Sequence, residues 1–119
     1  MTTADFLILV GLSAFMLHEL DAVQQQEWRF FLGWTGISDT AAYRWFVAAH
    51  LPLVFGLFAG LHMSVVQQGL AIFLILHAVA HTLLRHHRLI HFNTIFSRLW
   101  IYGGAAAGAL FLLNMSVSA

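Results

Sequence analysis

Residues 65–84 read VVQQGLAIFLILHAVAHTLL, a run with no acidic residue, no lysine and no arginine. A helix needs about 20 mostly apolar residues to cross the hydrocarbon of a bilayer, and this run has that length. Working outward, similar runs extend from about Phe6 to Ala22, from about Tyr43 to Leu61 and from about Ile95 to Met115, each ended by polar residues. Composition agrees: 61% of the 119 residues are hydrophobic and 8% are charged, against roughly 25% charged in an ordinary soluble domain. So few charges cannot cover a water-facing surface, whereas lipid makes no such demand. The expectation is an all-α chain forming a single membrane domain over residues 1–119, an integral four-helix transmembrane bundle in the lipid bilayer.

The five basic residues are all arginine and the net charge is zero, which leaves no basic face for nucleic acid. Cysteine is absent, so disulfides, thiolate ligands and a cysteine nucleophile are excluded, and any metal must be held by histidine and carboxylate. No basic residue precedes the first apolar run and no small-residue cleavage site follows it, so the first helix is expected to remain in the mature protein. Arg29 and Arg44 flank the connector at residues 23–42, and Arg85, Arg88 and Arg98 flank the one at 85–94. Four spans put those connectors on one side, and positive residues near span ends are retained in the cytoplasm. A multi-pass protein with both termini outside the cytoplasm is predicted.

In the longer connector, Trp28, Phe30, Phe31 and Trp34 alternate loosely with Gln, Glu and Arg, as suits the membrane interface. Ser38 and Asp39 are good N-cap residues for the second span. Gly104 and Gly108 share a helix face and point to close packing, with a dimer seam as the alternative.

The functional signal is the depth at which polar residues fall. His18 and Asp21 lie one turn apart near the inner end of the first span, His50 about seven residues or roughly 10 Å inside the second, and His77 and His81 one turn apart in the third. All occupy the inner half of the bilayer, with Asn93 and Ser97 able to complete the level. Ionisable groups are costly in hydrocarbon and mark bundle interiors and functional cavities. Glu19 is expected to point away from His18 toward an arginine. Glu27 and Arg29 suggest an interfacial salt bridge or cap, with Glu27 folding back as a ligand the alternative. His86, His87 and His91 sit in a basic turn facing solvent or lipid phosphates, and His62 in the opposite turn reads as surface.

The pattern of His18-Glu19-Leu20-Asp21-Ala22, Glu27-Trp28-Arg29, His50-x-Pro52 and the His77/His81 pair resembles an uncharacterised family of small bacterial four-helix membrane proteins catalogued as a domain of unknown function. The resemblance covers nearly the whole chain and implies the same architecture, the same polar residues and a bacterial inner membrane; it names no reaction. The spacing of His77, His81, His86 and His87 is also similar to the histidine boxes of membrane di-iron desaturases and hydroxylases, which carry several boxes on a longer chain where this sequence has one. The leading expectation is therefore a divalent metal, zinc or iron, bound by His18, Asp21, His50, His77 and His81, with a lipid-like substrate reaching it sideways. The alternatives are a b-type haem between His50 and a third-span histidine, which would make an electron-transfer protein, and a non-catalytic accessory subunit or transporter. A homo-oligomer or a larger membrane complex fits any of them.

Overall fold

In the computed structural model, which describes residues 1–118, the chain is helical almost throughout. Its elements are α1 (Thr3–Gln24), a short α2 (Trp28–Leu32) running into a single 3-10 turn at Gly33–Thr35, α3 (Asp39–Gly60), α4 (Ser64–Leu83) and α5 (Ile95–Ser118). Helices α1, α3, α4 and α5 are each long and apolar enough to cross a membrane. Their apolar side chains spread around the circumference instead of along one stripe, especially in α1 and α3, the pattern of helices whose outer faces meet lipid.

Local chemistry sets the ends. Thr2 and Asp5 form a capping box at α1, with Asp5 N–H donating to Thr2 Oγ1 and Thr2 N–H to Asp5 Oδ2. Ser38 Oγ accepts from Ala41 N–H, so α3 starts at Asp39, within the polar connector. Between α1 and α2, Gln26 has φ +58°, and Glu27 N–H donates to Ala22 O. That left-handed residue turns the chain back on itself, so Glu27 ends up buried beneath the end of α1.

Packing divides the bundle unequally. Helices α1, α4 and α5 make the core, whereas only Ala42 and Gly60 of α3 are buried. One apolar layer contains Ile8, Leu12, Phe15, Leu70, Leu74 and Phe111; a second contains Ala22, Ala78, Ile90, Phe92 and Ile101. Helix α3 is held at both ends, and Phe46 and Leu57 pack against the two apolar layers from outside. Arg29 and Trp28 Nε1 both donate to the Asp39 carboxylate at its start, and Gly60 meets Val66 at its finish. The ion pair expected between Glu27 and Arg29 is not what forms: Arg29 reaches Asp39, and Glu27 is left for the interior.

Gly104 and Gly108 are packing residues within the chain. A methyl group at Gly108 would stand 2.7 Å from Ala71 O, and one at Gly104 would touch Leu74 and Ala14. Gly108→Ala should therefore force α5 from α4 and lower stability by about 1–3 kcal/mol, the usual range for overpacking. Gly103 has nothing within 4 Å of its missing side chain, so Gly103→Ala should be neutral or slightly stabilising. Thermal melting of both variants in one detergent checks this, and equal melting temperatures would refute the assignment.

Candidate metal centre

Between the two apolar layers lies a polar one. His18 is carried by α1, between Phe15 and Ala22 of the two core layers; His77 and His81 lie one turn apart on α4, either side of the buried Ala78. The i, i+4 spacing puts both α4 rings on the face that meets α1. Each histidine offers a ring nitrogen, and the three atoms lie within 4.8 Å of one another. His77 Nε2 and His81 Nε2 are 3.0 Å apart. Glu27 closes another side, with Oε1 3.6 Å from His81 Nε2 and Oε2 4.0 Å from His18 Nε2. In a tetrahedral zinc site with Zn–N of about 2.0–2.1 Å, neighbouring ligand atoms stand about 3.3 Å apart, so small side-chain movements suffice to close this set on one ion.

The surroundings are apolar. Phe92 packs on His18 and His81 with ring centroids 5.0 and 4.8 Å away, and Phe73 stacks on His77 at 5.3 Å. His18 is 1% exposed, yet neither of its ring nitrogens has a hydrogen-bond partner, and His81 Nδ1 and Asp21 Oδ2 are likewise buried without one. Buried polar atoms are nearly always satisfied, and a neutral imidazole keeps one nitrogen lone pair, so His18 has a buried lone pair free for a cation and a buried N–H besides. Burial pushes the Glu27 carboxyl up to about 8, and the neighbouring Glu19 and Asp21 carboxylates push the same way. A cation beside Glu27 would offset that cost of ionising it.

The family model described as "Family of unknown function (DUF6713)" matches residues 4–118. The chain belongs to this family. No curated protein and no solved structure matches it.

In this member of the family, the five residues expected from sequence as one ligand set are divided by the structure. His18, His77 and His81 come together. Asp21 is buried one turn beyond His18, with Oδ1 accepting from Gln25 Nε2 at 3.2 Å. His50 lies outside the three-histidine group. Its Nδ1 faces Phe46 O at 2.7 Å, and its Nε2 is in close contact with Glu19 Oε2. A carbonyl can only accept, so Nδ1 carries hydrogen, and one proton is then shared between Nε2 and the Glu19 carboxylate. Glu19 thus pairs with His50 and not with an arginine. Both ring nitrogens of His50, the residue singled out for haem, are engaged. Sequence reasoning ranked Glu27 below these residues because its backbone turn at Gln26, a non-glycine residue with positive φ, leaves no mark in the sequence. His62, His86, His87 and His91 are exposed.

Proposed function

We propose that the protein is a membrane-embedded metalloenzyme in which His18, His77 and His81 would hold one divalent ion, zinc or iron, with Glu27 and Asp21 as the nearby carboxylates. The observation that carries this is His18, fully buried with both ring nitrogens unpartnered and two further histidines and a carboxylate converging on it. Borderline metals suit imidazole and carboxylate donors. Three protein ligands with a water in the fourth position is the arrangement of catalytic zinc sites, where the metal lowers the pKa of its water to about 7. Glu27, 3.6 Å from His81 Nε2, would be the proton acceptor beside such an ion.

A lipid-like substrate fits the surroundings. An open apolar crevice of about 280 Å³ runs between α1, α3 and α4, lined by Leu53, Leu57, Val66, Leu70 and the two phenylalanines, Phe15 and Phe73, whose rings pack on His77. An acyl chain lying there would reach the histidines from within the membrane.

Elemental analysis of detergent-purified protein tests the reading. About one zinc or iron per chain is expected; none, even after resupply, would sink it.

The site belongs near the cytoplasmic face in this reading. The residues 23–42 and 85–94 connectors lie at the same end, where Arg29 and Trp34 line one groove with His87 and Arg88, and both carry arginines. A C-terminal alkaline phosphatase fusion should be active and a C-terminal green fluorescent fusion dark. The reverse result would invert the orientation.

A further inference from the structure

A second cavity opens on the histidine cluster from the arginine-rich end. It is small, about 100 Å³, and lies between the end of α4, the connector that follows and the first turns of α5. Its polar lining is His81, Arg85, Asn93, Arg98 and Tyr102. Two of these are cations with no carboxylate in reach: among the described residues the one arginine–carboxylate ion pair is Arg29 with Asp39. Asn93 organises the cavity. Its Nδ2 donates to Arg85 O at 3.1 Å, and its Oδ1 accepts from Arg98 Nη2 at 3.4 Å. Tyr102 shares a hydrogen bond with Thr82 Oγ1, which leaves its hydroxyl further capacity.

His81 joins this cavity to the metal centre. Its Nε2 faces His77 and Glu27. If Nε2 ligates the ion, Nδ1 must carry hydrogen. A metal-bound histidine nearly always donates that second N–H to a carboxylate, carbonyl or water, yet His81 Nδ1 is buried with no partner, on a residue only 8% exposed. An anionic oxygen in the cavity would supply the acceptor. Paired guanidinium groups favour tetrahedral oxyanions because each offers two parallel N–H bonds. The volume fits such a group, since a water needs only about 10–15 Å³ by this kind of measure. It is well below the roughly 300–1,000 Å³ of pockets that enclose whole ligands, so the remainder of the molecule must lie outside.

We propose that this cavity binds the phosphate group of the substrate, with Arg85 and Arg98 as its counter-charges and His81 Nδ1–H as a third donor, beside the metal. The inference deepens the metalloenzyme reading by naming its substrate class, and rests on it for the role of His81. The phosphate can be a lipid head group or a free phosphate, and the same chemistry recognises both.

Calorimetry on protein in dodecyl maltoside, titrated separately with inorganic phosphate and with dihexanoyl phosphatidic acid, tests the proposal; zinc and iron content are measured on the same samples by elemental analysis. Wild type should bind at least one of the two, and tighter binding of phosphatidic acid by tenfold or more identifies a lipid head group. Arg85→Gln and Arg98→Gln should each weaken binding at least tenfold with metal content unchanged. Arg98→Lys should recover part of the loss, which separates a lost charge from misfolding. Arg88→Gln, in the same connector but outside the cavity lining, should match wild type. No binding of either probe by folded wild type, or affinities within twofold for both glutamine variants, overturns the proposal. Wild type that binds phosphate and neither zinc nor iron refutes the metal centre instead, so the two failures are distinct.

Discussion

Protein carrying His18→Ala should retain essentially no metal after purification, a loss of affinity exceeding 100-fold. The ring nitrogens of His18 make no hydrogen bond; the rings of His77, His81 and Phe92 pack on it, and Glu27 Oε2 stands 4.0 Å from its Nε2. Removing an outer-shell partner of a metal ligand already costs about 10–100-fold in affinity, and removing one of three direct ligands costs more. His77→Ala and His81→Ala should behave alike, since ligands to one ion act as a unit. His62→Ala and His87→Ala should keep full metal content, both residues being exposed and away from the three-histidine group. Stability follows by linkage: an ion present at 100 times its dissociation constant stabilises the folded state by about 2.7 kcal/mol. A chelator should accordingly lower the melting temperature of wild type and leave the His18→Ala variant where it is. Equal metal content in wild type and all three histidine variants would refute the shared site.

Much of this architecture is legible because the bilayer imposes a length and a composition that one sequence displays unaided. The four apolar runs and the polar ends of each needed only counting. Structure extends the first span to Thr3–Gln24 and begins the second at Asp39, since capping residues lengthen helices beyond their apolar portions. The site is legible in part. Depth could be counted along each helix, and that brought His18, His77 and His81 to one level. Rotation about the helix axis and the identity of the neighbouring helix could not be counted. His50 shares the depth of the cluster but sits on α3, which stands outside the α1–α4–α5 core, so its nearest polar partner is Glu19. Glu27 was hidden for another reason: its approach depends on a left-handed backbone at Gln26, a conformation that glycine or asparagine would have advertised.

The Glu19–His50 pair gives the second large effect, on stability and not on metal. It is the polar contact that ties the middle of α3 to the bundle, and both side chains lie within spans, at 17% and 24% exposure. Interhelical hydrogen bonds in membranes average about 0.6 kcal/mol and reach about 1.7, whereas breaking a buried ion pair by removing one partner costs about 3–5 kcal/mol. The present pair falls between. A carboxyl group left alone can escape charge burial by protonating, yet its remaining hydroxyl still has to face hydrocarbon. His50→Leu and Glu19→Leu should each destabilise by about 2 kcal/mol, above the range for an ordinary interhelical bond. Replacing both by leucine removes the orphan as well as the pair, so the double variant should be more stable than either single one. Metal content should stay at the wild-type level in His50→Leu, because the three-histidine set does not include it. Melting curves and elemental analysis of the three variants decide the matter together. Additive destabilisation would show that the two side chains are not coupled, and loss of metal in His50→Leu would return that residue to the ligand set.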